Sequence, residues 1–285
     1  MFWNRPIINT DLYPVDRLDG EHGQCWVERV RAELDLTGSC TLPEFVTGSQ
    51  LETMAEEMRA LTHLAFAGPT EVTPYFFNYR LGEGEVLPDD HPLRRKGRRN
   101  LSQIAADLIP EESLLYQLHH DPLMCEFLGA VLQQPVYLNQ DPYQALNVSV
   151  MDEGGCQQWH FDGGNMVTTL LLQEPDGGGL FEYAPDIRSE ADENFDAVKA
   201  VLNGKTDELM QNDLRAGTLS LFRGRYSLHR VTPVLGKRQR LQAILGYSTD
   251  PAMYGRREST ILHYGPRVAE IEAHDSRYPP EVADS

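Results

Sequence analysis

The 285-residue sequence predicts a mainly β fold with helical flanks, a sandwich or jelly roll, and two observations carry that expectation. From about Pro135 onward, short runs rich in Val, Thr, Leu, Phe and Tyr alternate with Gly, Pro and Asp clusters. Seven or eight such runs at close spacing are what a sandwich or jelly roll requires. Before that point β-branched residues are sparse, and apolar residues recur at helical rather than strand spacing.

Residues 1–138 are therefore expected to form a mainly helical region packed on the core. In SQLETMAEEMRALTHLAF, Leu51, Met54, Ala55, Met58, Leu61 and Leu64 fall on one helical face, and Ser49 is placed to cap it. In DPLMCEFLGAVLQQP, Asp121 precedes Pro122 as a cap, Leu123, Phe127, Leu128 and Val131 line one side, and Pro135 ends the helix. The β core is expected over 139–268, in PVYLNQ, QALNVSVMD, MVTTLLLQ, GLFEYAP, GTLSLFRG, SLHRVTPV and RLQAILGYS. A helical insertion interrupts it at about 190–213, with Phe195, Val198 and Val201 on one face. Residues 269–285 read as a polar tail.

Charge and cysteine content narrow the function classes. Twenty-five basic against 43 acidic residues give a net charge of −18, which repels phosphate backbones and anionic lipid, so nucleic acid is not expected as a partner. No run reaches the roughly 18 apolar residues of a membrane helix, and the opening MFWNRPIINTDLYP lacks the pattern of a leader, so a cytoplasmic protein without membrane contact is expected. Cys25, Cys40, Cys125 and Cys156 show no zinc-ligand spacing and are expected to be free, buried thiols.

The sharpest chemical signal is Trp159-His160-Phe161-Asp162 after the strand QALNVSVMD, followed by His229 in SLHRVTPV. Two imidazoles and one carboxylate make a facial triad that leaves three adjacent positions of an octahedral iron(II) open. In an extended segment the first and third residues of H-x-D project to one side and Phe161 to the other. His119-His120-Asp121 repeats the pattern, but there the carboxylate precedes Pro122 and an apolar helix, where it serves as an N-cap.

Basic residues follow the distal histidine. Arg238 stands nine positions after His229, and Arg240 shares its strand face. Either can hold the far carboxylate of a dicarboxylate whose keto-acid end chelates the metal, or both can be surface charges on an edge strand; Arg238 is the favoured clamp.

The ordered set of H-x-D, GGGLFEY, GTLSLFRGRYSLHRVTPV and G-x-R over residues 139 to 250 resembles the iron(II)/2-oxoglutarate-dependent oxygenase superfamily. It is similar to the branch containing amino-acid hydroxylases and radical halogenases. The resemblance implies a double-stranded β-helix, a distorted jelly roll. It implies iron(II) on His160, Asp162 and His229, 2-oxoglutarate on Arg238, and dioxygen as the second co-substrate. The halogenases of that branch replace the carboxylate with glycine; Asp162 is retained, so hydroxylation of a small, amino-acid-like metabolite is the expected outcome, with succinate and carbon dioxide released. Peptide side-chain hydroxylation and a non-catalytic metal-binding β-domain are the rival readings.

Further candidates surround this set. Asn147 and Thr168 flank the H-x-D turn and can donate hydrogen bonds to 2-oxoglutarate or substrate. Trp159 can wall the pocket. Arg223, Arg225 and Arg80 can receive a substrate carboxylate. The cluster Arg94, Arg95, Lys96, Arg98 and Arg99 reads as a solvated face.

Overall fold

A computed structural model describes residues 6–76, 86–206 and 208–272. The first segment opens with helix α1 (Glu21–Thr37), strand β1 (Ser39–Leu42) and α2 (Gly48–Leu61). Short strands β2 (Phe66–Ala67), β3 (Glu71–Val72), β4 (Gly97–Asn100) and β5 (Ser102–Ile104) come next, then α3 (Leu114–His119) and α4 (Pro122–Leu132). Ahead of α3, the region expected to be mainly helical thus also supplies five strands among the described residues. They are two to four residues long, too short for a period-2 pattern to show in sequence.

The second half contains β6 (Tyr137–Leu138), β7 (Leu146–Met151), β8 (Cys156–His160), β9 (Val167–Gln173), β10 (Gly177–Gly178) and β11 (Phe181–Ala184). Helix α5 (Phe195–Leu202) is followed by β12 (Met210–Asn212), β13 (Leu219–Phe222), β14 (Leu228–Val231), β15 (Val234–Leu235), β16 (Arg240–Leu245) and β17 (Tyr247–Ser248). Helices α6 (Arg257–Tyr264) and α7 (Arg267–Glu272) close the described chain. The insertion is helical only over α5, where Val198 and Val201 are buried, and β12 adds an edge strand after it.

Two antiparallel sheets face each other. The larger runs β1, β13, β9, β16, β7, β5, β2, and the smaller β12, β11, β14, β8, β4, β3. Strand alternation divides the larger sheet: Leu146, Val148, Val150, Leu170, Leu219, Leu241 and Ala243 pack outward under the helices, while polar residues of the same strands face the smaller sheet. Trp26 of α1 stacks on Phe127 of α4 at 4.7 Å, and Arg31 donates to the Ala130 and Val131 carbonyls, which α4 leaves without helical partners. Asp121 caps α4 by accepting from Leu123 N at 3.0 Å. Its neighbour His119 is buried and bonded to Gly246 O, so this second H-x-D is structural. Ser49 does not cap α2: the helix starts one residue earlier, at Gly48, with Thr47 at the cap position. All four cysteines are free, but only Cys40 and Cys156 are buried: α1 turns Cys25 to solvent and Cys125 on α4 is half-buried.

Candidate metal centre

Strands β8 and β14 lie side by side in the smaller sheet, with His160 directly opposite His229. The register then slips, so that Val231 faces Gln157 and β8 carries one residue more than β14 over this stretch. This bulge brings Gln157 and His160, three positions apart, onto the same cavity wall; a regular strand would send them to opposite faces. Past β8, Phe161 turns away and packs on Tyr75 with ring centres 5.2 Å apart. The next residue returns, its N–H donating to Gly224 O at 3.0 Å. Its carboxylate lies 3.9 Å from His160 Nε2 and 3.3 Å from His229 Nε2, and the three ligand atoms all fall within 4.8 Å of one another.

Gly224 makes this placement sterically feasible. A Cβ there would stand 1.8 Å from Asp162 Oδ2 and 2.6 Å from its Cγ, so the carboxylate occupies the space that any other residue's side chain would enter.

The hydrogen bonds around the imidazoles fix what the site can hold. His160 Nδ1 contacts Gln158 O at 2.8 Å, and His229 Nδ1 contacts Ser227 O at 3.0 Å. A carbonyl only accepts, so each Nδ1 carries a hydrogen, which leaves the Nε2 of a neutral ring as the ligating nitrogen. Burial and the neighbouring His229 push His160 down to about 3, so it is neutral near pH 7. Burial opposes ionisation of Asp162, but the two histidines outweigh it and hold the group below its ordinary value. Two imidazole nitrogens and a carboxylate thus converge within 4.8 Å of one another. This donor set and its facial arrangement suit a divalent transition ion.

A cavity of about 910 Å³ opens in front of the triad, between the two sheets. Its wall explains the fate of each sequence candidate. Arg240 is 3% exposed, faces the cavity, and donates from Nε to Gly179 O at 3.2 Å and from Nη2 to Gln242 Oε1 at 2.7 Å. It has no carboxylate partner among the described residues, and burial lowers its pKa to about 10. Gly179 leaves room for it: with φ +62°, a Cβ there would come within 2.9 Å of Arg240 Cδ. Arg238 lies elsewhere. It sits in the bend before β16, exposed, and pairs with Asp176. The strand face assumed for both arginines therefore exists only from Arg240 onward.

Asn147 lines the cavity and accepts from Gln103 Nε2 at 3.1 Å. Thr168 does not line it: on β9 it shares the core face of Leu170 and Leu172, while Val167 and Thr169 point inward. Trp159 also faces away, in the cluster with Phe161 and Leu228, under the guanidinium of Arg230 at 4.6 Å. Arg223 and Arg225 stand on the cavity rim, the first paired with Asp35 and the second bonded to Gly163 O. Arg80 lies outside the described residues.

Several cavity residues escaped sequence reasoning. Arg99, from the cluster read as solvated, is 3% exposed, because alternation along β4 turns Arg98 and Asn100 outward and Arg99 inward. Its Nη2 donates to Gln103 Oε1 at 2.7 Å, while Nε and Nη1 have no partner among the described residues. Arg94, by contrast, does pair at the surface, with Asp89. Gln157 donates to His160 Nε2 at 2.8 Å. Ser149 Oγ, Ser220 Oγ and Gln242 Nε2 are buried without partners among the described residues, on the wall beside Arg240. The sequence signal for Ser149 was strand parity with Asn147 and for Gln242 parity with Arg240, whereas Ser220 on β13 had none of this kind.

A family model described as "HalD: Halogenase D" matches residues 89–258. A comparison with curated proteins finds no match. Among solved structures, HygX from Streptomyces hygroscopicus with nickel, 2-oxoglutarate and hygromycin B bound superposes with a TM-score of 0.54 at 13% identity, covering 79% of this chain and 88% of that one. A prolyl hydroxylase from Trichoplax adhaerens in complex with a hypoxia-inducible-factor peptide gives 0.52 at 14% identity, covering 85% and 100%. The non-haem α-ketoglutarate-dependent epimerase SnoN of nogalamycin biosynthesis gives 0.53 at 13%, covering 79% and 83%. The fold is thus the double-stranded β-helix of these oxygenases.

Proposed function

This chain belongs to the halogenase D family, and from that premise and its His160, Asp162, His229 cluster we propose that it is an iron(II)/2-oxoglutarate-dependent dioxygenase hydroxylating an unactivated C–H bond of a small, amino-acid-like metabolite. The observation that carries this reading is the convergence of three ligand atoms on a cavity whose opposite sheet presents a buried arginine without a carboxylate partner among the described residues.

His160, Asp162 and His229 would hold the iron, which with 2-oxoglutarate and dioxygen supplies oxidation of a C–H bond and release of succinate and carbon dioxide. The protein's own part is orientation. Gln158 O and Ser227 O lock both imidazoles in the tautomer that ligates. Arg240 would take the far carboxylate of 2-oxoglutarate, its orientation held by Gly179 O and Gln242, with Ser149 and Ser220 beside it to complete the polar wall. HygX, whose structure holds 2-oxoglutarate and an antibiotic, supports a small-molecule substrate. Hydroxylation rather than halogenation is supported by Gly224, which makes space for a carboxylate at the position where the resemblance places glycine in halogenases.

The test is an anaerobic titration of the iron(II)-loaded protein with 2-oxoglutarate, following the weak visible charge-transfer band of a chelated keto-acid. Appearance of the band, and its loss in His160→Ala, supports the assignment. Its absence in folded, metal-loaded protein refutes it.

A further inference from the structure

The charges lining the cavity run opposite to those of the chain. The whole sequence carries −18, yet the described cavity residues include Arg99, Arg223, Arg225, Arg240 and Arg256, with Asp162 as the one carboxylate among them. Part of this positive charge is already matched. Arg223 is paired with Asp35. On the oxygenase reading, on which the substrate assignment below rests, a doubly charged iron and Arg240 balance Asp162 and the doubly negative co-substrate. Arg99 remains, and so do Arg225 and Arg256 at the rim.

Arg99 is the informative one, because an unpaired buried guanidinium is costly unless an anion reaches it. It lies 3% exposed with two of its three nitrogens unpartnered among the described residues. Its position is set by the sheet. Arg99 is the cross-strand partner of Gln157, and the Gln157 amide reaches His160 Nε2, so a group bound at Arg99 lies on the same wall as the metal ligands. The ring of Phe76 fills the space alongside, 5.3 Å from the His160 ring and 6.2 Å from that of His263. Burial and then Arg99 hold His263 down at about 4, so it stays neutral near pH 7 and adds no charge to this wall. An α-amino acid brought to this wall by its carboxylate would carry its ammonium into a cavity whose one carboxylate among the described residues, Asp162, is engaged by the metal.

We propose that the substrate is a small organic acid held through its carboxylate by Arg99 and bearing no free ammonium group, such as an N-acylated or deaminated amino acid rather than the free amino acid itself. The unpartnered donors of Arg99 recognise the acid, Phe76 packs on its apolar part, and the rim arginines draw a net anion toward a protein of otherwise negative surface.

The test uses the full chain loaded with nickel(II) and 2-oxoglutarate, so that binding is read without turnover. Calorimetric titrations compare three probes on each of the leucine, phenylalanine and lysine skeletons: the free amino acid, its N-acetyl derivative and the deaminated acid. The expected result is that, on at least one skeleton, an ammonium-free acid binds at least tenfold tighter than the free amino acid. Arg99→Gln should weaken that acid at least tenfold while changing 2-oxoglutarate affinity less than twofold, and Arg99→Lys should recover part of the loss and guards against a folding defect in the glutamine variant. Tighter binding of the free amino acids on every skeleton, no binding by any acid, or unchanged acid affinity in Arg99→Gln overturns the proposal. Failure of 2-oxoglutarate itself to bind the nickel protein would instead overturn the oxygenase reading, and this inference with it.

Discussion

Gly224 carries no functional group, yet replacing it should damage the metal centre more than most changes elsewhere on the cavity wall. An alanine Cβ would lie 1.8 Å from Asp162 Oδ2, 2.6 Å from Cγ and 2.8 Å from Cβ, whereas real Cβ contacts stay above 3.0 Å. The carboxylate would have to retreat by more than 1 Å, and it is held from behind by the Asp162 N–H bond to Gly224 O. Overpacking of this kind costs about 1–3 kcal/mol, which in a chain of this size lowers Tm by up to about 10 °C. Shifting one of three ligands should cost metal affinity at least the roughly 10- to 100-fold seen when supporting partners are lost. Calorimetric titration of Gly224→Ala with nickel(II), alongside a thermal melt, reads both quantities. Gly164→Ala is the control, since its Cβ would meet nothing nearer than Met166 O at 3.5 Å. In the double variant with Asp162→Gly the clash vanishes, so stability should return while metal affinity does not. A folded Gly224→Ala that binds nickel(II) within twofold of the wild type refutes this account of the site.

The same geometry sets three further outcomes. Arg240→Ala should raise the 2-oxoglutarate concentration needed for half-saturation at least tenfold, and Arg238→Ala less than twofold; equal effects would return the exposed arginine to the site. His119, pushed down to about 4 by burial, resists protonation in the folded state while the unfolded chain takes up the proton near 6.5. Stability should therefore decline by about 3 kcal/mol as pH falls across that window; denaturant titrations of His119→Gln should show a shallower slope there, and an unchanged slope would reject the assignment. Asp121→Ala should cost about 1 kcal/mol of stability through the lost cap of α4 and leave nickel(II) affinity untouched; a loss of metal binding would mean that the second H-x-D is no mere cap.

The parts of the molecule legible in sequence are those written in residue type. The His160, Asp162 and His229 set could be read from identity and order, the cap of α4 from Asp121 before Pro122, and the apolar faces of α2 and α4 from periodicity. What stayed hidden depends on register. Arg238 and Arg240 differ by two positions, and only the point where β16 begins separates a surface ion pair from a buried guanidinium. Thr168 and Thr169 are chemically alike and adjacent, and strand parity alone sends the second into the cavity. Arg99 sat inside a charge run whose composition describes a solvated face, and β4 is too short for alternation to be seen through it. The bulge in β8 left no sequence mark, although it aims Gln157 beside His160.

The weave of the first half through both sheets sets the order in which this chain can mature. β1 pairs with β13, β4 with β8 and β5 with β7, so strands made early find partners encoded late, Ser39 opposite Phe222 across most of the sequence. Such non-local pairing slows folding, since loops must close before their contacts are gained. On a ribosome the nascent amino-terminal half would wait with open strand edges, and the wall bearing Arg240 could form only once β16 had emerged. Metal capture should accordingly be a late event in biogenesis, and a chain released short of β16 should present unpaired edges to the cell's chaperones and proteases.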